Sequence, residues 1–539
     1  MTPPLRLDEV RLPLDHDDAA LHLAVRERLG TDPARFKVAR RAIDARKRAA
    51  IMHSYTIDAE LDDPASHAHA ARRTGVRPTP DTTYRFLAHA PAGLLHRPIV
   101  IGTGPCGLLA GLLLAQMGFR PLILERGRAV RTRTQDTWGL WRRGILDPES
   151  NVQFGEGGAG TFSDGKLWSQ IKDPHHLGRK VLEEFVAAGA PIDILTEAHP
   201  HIGTFRLVTM VESIRAQIEA LGGEYRFETE VTDLLIDDTA QGRRIRGVTI
   251  AGGEQIPADH VVLAIGHSAR TAFAMLEQRG VAMEVKPFSI GVRIEHPQSL
   301  IDRNRWGAQS GHPALGAAEY RLVHHCANDR SVYSFCMCPG GTVVAATSEP
   351  GRVVTNGMSQ YSRNERNANA GIVVGITQAD YSNGGLLAGV EYQRHWEERA
   401  FIAGGSNYNA PAQLVGDFLA GRPSTAIGSV IPSYRPGVTP TDLALCLPDF
   451  AIAAIREALP VFGRQIEGFD MHDAVMTGVE TRTSAPVRIT RDASFQSRNV
   501  AGLYPAGEGA GYAGGILSAG VDGIKVAQAI ALDIVAAHA

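Results

Sequence analysis

A glycine-rich turn between two apolar runs constrains the fold of this chain most strongly. The segment RPIVIGTGPCGLLAGLLLAQMGFRPLILERG extends from residue 97 to residue 127. The apolar run PIVI predicts a buried strand, and Gly102, Gly104 and Gly107 follow it as G-x-G-x-x-G before an apolar helix. A second apolar strand ends at Glu125, 18 residues after Gly107. This order predicts a Rossmann-type βαβ unit with a dinucleotide site at its first turn.

The glycines and the acid of this unit each have a physical role in a dinucleotide site. Gly102 permits the tight turn, Gly104 lets the backbone approach a pyrophosphate, and Gly107 lets the helix pack against the strand. The helix N-terminus offers N–H groups to the phosphates, and Glu125 offers a carboxylate to the ribose. The predicted cofactor-binding residues of this unit are Gly102, Thr103, Gly104, Pro105, Cys106, Gly107, Glu125 and Arg126.

The C-terminal segment, residues 499–535, predicts which dinucleotide binds. It has a strand-like start, then Glu508 between glycines, then a glycine pair that opens a helix. It resembles the second flavin-binding motif of the glutathione-reductase-like superfamily, with Glu508 where that motif usually has Asp. A carboxylate here can bind a ribityl hydroxyl, and the helix N-terminus can direct N–H groups at the negative charge of a reduced flavin. Because an NAD site needs no such distal element, we predict FAD, with contacts from Gly507, Glu508, Gly514, Gly515 and Ile516.

Three internal segments agree with an FAD site. The strand RFETEVTDLLID resembles the superfamily strand whose backbone meets the adenine, here near Val231. The segment DHVVLAIGHSAR resembles an apolar strand that ends beside the cofactor, here at Gly266. The loop NVQFGEGGAGTFSDGKLWSQ has the position of the loop that follows the pyrophosphate and ribityl chain in single-Rossmann flavoenzymes. In this loop the expected contacts with the cofactor or substrate come from Gly157, Gly158, Gly160, Thr161, Ser163 and Lys166.

Several longer strings resemble one known family. The strings NVQFGEGGAGTFSDGKL, KPFSIGVRIEHPQ, YSFCMCPGG, VETRTSAPVRI and GLYPAGEGAGYAGGI together are similar to the bacterial family of uncharacterised FAD-dependent dehydrogenases. The resemblance covers nearly the whole chain and implies a flavoprotein oxidoreductase. The expected fold is α/β, with a Rossmann-like FAD-binding domain, an inserted β-rich substrate domain and a small N-terminal α+β unit. The expected boundaries are 1–83 for the N-terminal unit, 97–285 and 481–539 for the FAD-binding domain, and 286–480 for the substrate domain.

The N-terminal unit has its own pattern. Its order, β-α-β-β, predicts a ferredoxin-like or related unit, and a polar connector is expected at residues 62–83. Residues 35–48 contain seven basic residues and one acid. This stretch is either an RNA or anion site or a solvated hairpin. Because the first 83 residues hold 14 basic and 13 acidic residues, their charge balance disfavours nucleic acid.

The five cysteines do not form a disulfide framework, yet Cys336 and Cys338 lie close together in sequence. In a regular strand residues i and i+2 are about 6.6 Å apart, whereas disulfide Cβ atoms lie about 3.5–4.5 Å apart. A disulfide therefore needs a break in the strand near Pro339. The simplest hairpin register places Cys326 opposite Ser331, too far from Cys336 for a shared metal site. No metal is predicted, and the thiols are either packed residues or include one reactive thiol beside the flavin.

The chemistry is less determined than the cofactor. No second G-x-G-x-x-G occurs between residues 170 and 490, so NAD(P)H is expected at most as a transient electron donor. We predict hydride transfer through flavin N5. The candidate catalytic residues are Lys166, Arg293, Cys336 and Cys338. Arg293 and Glu295 share one face of a predicted strand that continues to His296, and they either orient a polar substrate or pair with each other. Arg482 and Thr483 are candidates for substrate contact.

Three functions remain open from the sequence. The first is an FAD-dependent oxidoreductase acting on a small organic molecule. The second is an FAD enzyme acting on RNA or a protein through the basic N-terminal unit, and the third is a non-catalytic flavin redox sensor. The net charge of −3 and the longest apolar stretch, residues 108–119, point to neither nucleic acid nor membrane. With no signal-like apolar segment at the start, a cytoplasmic location is expected.

Overall fold

The N-terminal residues form an antiparallel sheet covered by two helices. The computed structural model describes residues 3–240, 242–381 and 384–538. The elements of this unit are β1 (Leu5–Pro13), α1 (Asp18–Leu29), β2 (Arg35–Asp44), β3 (Met52–Glu60), α2 (Pro64–Ala70) and β4 (Val76–Pro78). The strand order is β2-β3-β1-β4 with every neighbour antiparallel, which is the order of a ferredoxin-like βαββαβ unit.

The polar connector expected at residues 62–83 is not a simple linker. It contains α2 and β4, which complete the four-stranded sheet. Asp63 caps α2 by accepting hydrogen bonds from the N–H groups of Ala65 and Ser66, and Pro64 occupies the first helical turn. The composition rich in Pro, His and Ala concealed this helix because its apolar pattern is short.

The next part of the chain alternates strands and helices. Its elements are β5 (Ile99–Ile101), α3 (Pro105–Gln116), β6 (Leu122–Leu124), α4 (Val130–Arg143), α5 (Leu177–Ala187), α6 (Thr204–Ala220), β7 (Glu224–Arg226), β8 (Val231–Thr239), β9 (Gly242–Ile250), β10 (Gln255–Pro257), β11 (Val261–Leu263), α7 (Arg270–Gln278) and β12 (Met283–Val285).

A strand-rich part follows, and then the chain returns to the first sheet. The elements of the strand-rich part are β13 (Phe288–Pro297), α8 (Gln298–Trp306), β14 (Val323–His325), β15 (Ser331–Cys338), β16 (Gly341–Ala345), β17 (Thr355–Ser359), β18 (Asn367–Ile376), α9 (Ala388–Ala403), β19 (Ala410–Leu414), α10 (Val415–Leu419), β20 (Val438–Pro440), α11 (Asp449–Gln465) and β21 (Val475–Glu480). The returning elements are β22 (Val487–Ile489), β23 (Leu503–Pro505) and α12 (Ile516–His538).

Two sheets from these elements position the site. The first is a five-stranded parallel sheet of order β23-β11-β5-β6-β7, typical of a Rossmann-type domain, with a three-stranded meander β10-β9-β8 beside it. The second is a seven-stranded mixed sheet of order β14-β15-β18-β13-β21-β19-β20. All of its strands lie between residues 288 and 480, so the second sheet is inserted within the sequence of the first. Within the described ranges, no helix is both long and apolar enough to cross a bilayer.

The Rossmann-type sheet is held together by close contact between its helices. Helix α12 crosses α3, and a Cβ atom on Gly523 would overlap the carbonyl oxygen of Cys106. Only glycine lets the two backbones approach this closely. Since α12 comes from the end of the chain, this crossing brings the C-terminal glycines beside the first βα turn.

A buried ion network joins the two sheet domains. Glu397 on α9 accepts hydrogen bonds from Arg270 of α7, at 2.7 Å, and from Arg482 just after β21, at 3.0 Å. The hydroxyl of Thr481 donates a further one at 2.8 Å. Burial by itself raises the pKa of Glu397, but the charges of the two arginines hold it well below the usual range. The carboxylate is therefore ionised and fully paired inside the protein.

Replacing Glu397 by Gln should leave Arg482 without its closest counter-charge and Arg270 with Glu349 as its remaining carboxylate partner. We expect the free energy of unfolding to fall by about 3 kcal/mol, measured by chemical denaturation. The matched control is Glu398→Gln, because Glu398 is exposed on the same helix and should change stability by less than about 0.5 kcal/mol. Equal stabilities of the two variants would contradict a structural role for the network.

Candidate cofactor and active site

One large cleft lies between the two sheet domains. Its volume is about 390 Å³. The Rossmann-type domain contributes the β5–α3 turn, the loop at residues 153–168 and the start of α12. The second domain contributes β15 and β17 residues and the end of β21. Because the cleft has walls from both domains, a ligand in it would contact both.

Most of the residues predicted to bind the cofactor line this cleft. They are Gly102, Thr103, Gly104, Pro105, Cys106, Glu125, Arg126, Gly158, Gly160, Val231, Gly266, Glu508, Gly514, Gly515 and Ile516. Gly107, Gly157 and Gly507 are not in the lining. A Cβ atom on each of these three would overlap neighbouring protein atoms, so they shape the cleft from behind rather than contact its contents.

The first turn leaves its backbone open toward the cleft. Gly104 is the N-cap of α3, and no side chain caps that helix end. A Cβ on Gly104 would meet only the Cα of Gly158, at 3.8 Å. Gly107 differs, because its Cβ would overlap the carbonyl oxygen of Gly102, so helix and strand pack without space for a side chain. The helix end thus presents uncapped N–H groups to a phosphate group.

Glu125 has an organising contact that the sequence did not reveal. Its carboxylate accepts hydrogen bonds from the N–H and hydroxyl of Thr103 and from the N–H groups of Gly127 and Gly155. The four distances are 3.0, 2.6, 2.9 and 3.0 Å. The side chain therefore ties the first turn to the glycine-rich loop. Its contact with an adenosine ribose stays a prediction.

Glu508 behaves differently from Glu125. Among the residues that the structure describes, none donates a hydrogen bond to its carboxylate, which faces the cleft. Burial raises the pKa of Glu508 to about 7, with Lys286 opposing the increase and Cys336 adding to it. A Cβ on Gly514 or Gly515, just beyond it, would meet open space. An unpartnered carboxylate beside an open glycine cradle fits a ligand that carries hydroxyl groups, as the ribityl chain of FAD does.

Arg293 does not pair with Glu295, so that interpretation of the strand is wrong. Its Nε and Nη2 donate to Glu480, and its remaining N–H groups donate to Cys336, Asn369 and Asn356. All five guanidinium donors are used inside the protein, and Arg293 is fully buried. Arg293 therefore positions its neighbours and is not among the lining residues of the cleft, while its predicted catalytic role stays a prediction.

The two neighbours of Arg293 on β13 also lie away from the cleft. Glu295 accepts hydrogen bonds from Ser433 and Asn367, and His296 pairs with the carbonyl oxygen of Phe469. Both side chains are enclosed in the second domain. Neither is available to a ligand in the cleft.

Lys166, Cys336 and Cys338 are brought together at the second-domain end of the cleft. Lys166 donates to the carbonyl oxygen of Met337, and both Lys166 and Cys336 line the cleft. The expectation that Cys336 and Cys338 lie in a regular strand is wrong. The pairing of β15 with β18 shifts between Phe335 and Cys338, and Cys336 has a φ of 42°. The hairpin register also differs by one residue from the expected one, since His325 and not Cys326 pairs with Ser331.

Sequence reasoning missed several polar residues of the cleft. His267 is a half-buried lining residue whose pKa is lowered to about 3 by desolvation, so it is neutral. Asp164 lines the cleft while paired with Arg363, and Gln153 and Ser268 hydrogen-bond each other at 3.0 Å. The spacing of isolated polar residues gives no signal for such contacts. The candidates Arg482 and Thr483 do line the cleft.

A separate cluster of possible metal ligands lies away from the cleft. The ligand atoms of His324, Cys326 and Glu457 lie within 4.8 Å of one another. Glu457 already accepts hydrogen bonds from His324 and from the N–H of Ala327. The carboxylate comes from α11, so the sequence around the cysteine could not indicate it.

The chain is similar to known proteins in three ways. A family described as "FAD-dependent protein, C-terminal domain-like" matches residues 287–483, and a domain of unknown function matches residues 5–60. An uncharacterized protein of Clostridium beijerinckii is 44% identical over 530 residues, which cover 98% of both chains. The first match covers most of the second domain, the second covers most of the N-terminal unit, and the third covers nearly the whole chain.

Three solved structures are similar to this chain at low sequence identity. A halogenase PltM mutant in complex with FAD is 11% identical over 82% of this chain and 70% of its own, with a TM-score of 0.39. A glycine oxidase from Geobacillus kaustophilus is 13% identical over 81% of this chain and 95% of its own, with a TM-score of 0.34. A THI4 structure from Thermovibrio ammonificans is 19% identical over 35% of this chain and 65% of its own, with a TM-score of 0.25.

The fold is a Rossmann-type sheet joined to a second domain that is similar to the family described as "FAD-dependent protein, C-terminal domain-like". The chain belongs to the same family as the full-length relative from C. beijerinckii. The narrower resemblance to FAD-dependent dehydrogenases is supported at the level of an FAD-dependent domain, and the dehydrogenase assignment stays a prediction.

The first turn offers a direct test of cofactor binding. Gly104→Val should keep the fold, because the new side chain enters open space, but it should occupy the position of the phosphates. We expect at least a tenfold loss of FAD affinity, measured by flavin fluorescence, with an unchanged circular dichroism spectrum. The control Gly375→Val also enters open space, on β18 outside the cleft lining, and should bind FAD normally.

Glu508 offers a test by pH. The pKa of Glu508 is about 7 in the folded protein and about 4.5 in the unfolded chain. Between about pH 4.5 and pH 7 the carboxyl group is therefore protonated in the folded state but ionised in the unfolded state. The stability contribution of this group therefore falls as pH rises from about 4.5 to 7 and is then constant. In FAD-free protein, the difference in free energy of unfolding between Glu508→Gln and wild type should shift by about 1–3 kcal/mol in favour of the variant when the pH is raised from 5 to 8.

Chemical denaturation at the two pH values measures this difference. The control Glu277→Gln changes an exposed acid on α7 and should follow wild type at both values. A Glu508→Gln variant that also follows wild type would show that Glu508 is not a buried acid with a raised pKa.

Proposed function

We propose that the protein is an FAD-dependent oxidoreductase that acts on a small organic molecule. The observation that carries this proposal is the cleft between the domains. One part of it is the glycine-rich cradle at the βα turn and the start of α12, and the other is a polar wall from the second domain. A cofactor in the first part would meet a substrate held by the second.

The residues present fit FAD. The uncapped N-terminus of α3 would hold the pyrophosphate, and Glu508 would accept a hydrogen bond from the ribityl chain. Residues Gly515 and Ile516, at the start of α12, would offer N–H groups to negative charge on the flavin ring. Bound FAD would supply hydride transfer through its N5 atom. The family match over residues 287–483 supports FAD independently.

The polar wall of the cleft supports a substrate with polar groups. Asn356, Arg482 and Thr483 line it, and Lys166 reaches the cleft beside them from the loop at residues 153–168 of the Rossmann-type domain. Arg482 is fixed by Glu397, and the Thr483 hydroxyl is held by the backbone of Ser289. These groups would orient a substrate without moving, which favours preorganised binding. In this proposal NAD(P)H, if it is the electron donor, binds transiently in the same cleft.

The basic N-terminal stretch gives less support to an RNA substrate. Arg35 pairs with Glu60, Arg41 with Glu197, and Arg46 with Asp44. Paired guanidinium groups are poorly available to phosphates. The contact of Arg41 with Glu197 instead docks the N-terminal unit against the Rossmann-type domain.

The proposal is tested on the purified protein. We expect flavin absorbance, release of FAD on denaturation, and anaerobic reduction by NADH, NADPH or light, followed by reoxidation with an electron acceptor. A colourless protein that FAD does not reconstitute would refute the proposed cofactor. A reduced flavin that no acceptor reoxidises would favour a redox sensor over an enzyme.

A further inference from the structure

The irregular end of β15 places two thiols beside the cleft. Strand β15 pairs Phe335 with Gly371 and Cys338 with Asn369, so Cys336 and Met337 together oppose one residue of β18. This is a β-bulge, which redirects the side chains of a strand. Cys336 has left-handed backbone geometry and lines the cleft, whereas Cys338 is fully buried behind it.

The bulge brings the two thiols into contact. The Sγ of Cys338 donates a hydrogen bond to the carbonyl oxygen of Cys336 at 3.4 Å. Arg293 donates to that same carbonyl oxygen at 2.8 Å, and Lys166 donates to the carbonyl oxygen of Met337. Two cationic side chains therefore hold the backbone carbonyl groups of the two bulge residues.

The charges around the pair distinguish its two members. Interaction with the neighbouring Cys338 thiol lowers the pKa of Cys336 below its usual range, and Arg293 and Lys166 add to this against the effect of burial. The same interaction, together with burial, raises the pKa of Cys338 well above its usual range. These directions favour a thiolate at Cys336 and a thiol at Cys338. The other charged or titratable groups that act on the pair or respond to it are Asp164, Tyr320, Arg363, Glu480 and Glu508.

We propose that Cys336 and Cys338 form a dithiol–disulfide couple that exchanges two electrons with FAD in the cleft. This rests on the proposed function, since it needs the flavin as electron acceptor. In the oxidising direction a bond forms between the two sulfur atoms and the S–H bond of Cys338 breaks. Two electrons and that proton pass to oxidised FAD, which becomes the anionic reduced flavin. The reverse direction reduces the disulfide.

Redox stoichiometry of the holoprotein tests the couple. After mild oxidation with diamide, anaerobic dithionite titration of wild type should consume four electrons per FAD, two for flavin and two for the disulfide. Cys336→Ser and Cys338→Ser should each consume two. The control Cys446→Ala removes a buried thiol in the second domain that is not in the cleft lining, and should consume four.

Thiol mapping gives a readout that does not depend on flavin reduction. Both cysteines lie in one tryptic peptide, residues 331–352, and bridging removes two hydrogen atoms from it, about 2 Da. We expect this loss after diamide treatment and its reversal by dithiothreitol. In the reduced protein Cys336 should be alkylated faster than Cys338 and at a pH below the usual thiol range, near 8.5.

The outcomes separate the two proposals. A yellow protein that consumes two electrons per FAD in every variant and shows no bridged peptide overturns the couple and leaves the proposed function standing. Fast alkylation of Cys336 without any bridging also overturns it, because the thiolate then acts alone. A protein that binds no FAD overturns the proposed function, and the couple falls with it.

Discussion

The structure depends on backbone contacts that only glycine allows. Gly107 lies against the carbonyl oxygen of Gly102, and Gly523 lies against that of Cys106. Through these two contacts β5, α3 and α12 form one closely packed unit. As a result, residues more than 400 positions apart in sequence, such as Gly104 and Glu508, line the same cleft. The cleft is therefore a consequence of how near three backbones lie to one another.

The parts of the site that the sequence predicts are those with local physical causes. The spacing of Gly102, Gly104 and Gly107 indicates the turn because each position has a steric requirement that arises when a strand, a tight turn and a helix follow one another closely in sequence. The same holds for the glycines near Glu508. These requirements concern the local backbone, so they can be recognised in the sequence without knowledge of which strands are neighbours in the sheet. The Rossmann-type sheet and most of the cleft lining follow from them.

What the sequence does not predict depends on partners across strands. Arg293 pairs with Glu480 because β13 lies between β18 and β21, and that order is set by the whole second sheet. The bulge at Cys336 likewise arises from pairing with β18, and strand periodicity assumes that no such bulge exists. Glu125 was expected to face a ribose, but nearby N–H groups compete for its carboxylate. In each case a contact distant in sequence decides the role of the side chain.

The inserted position of the second sheet has a consequence for synthesis of the chain. Helix α3 is buried along nearly its whole length, and α12 packs on it, yet α12 leaves the ribosome only after every strand of the second sheet. Until then the apolar surface of α3 that α12 covers must be exposed or temporarily covered by something else. Apolar surface exposed in this way promotes aggregation of incomplete chains. Completion of the dinucleotide cleft and protection of this surface therefore occur in the same late step.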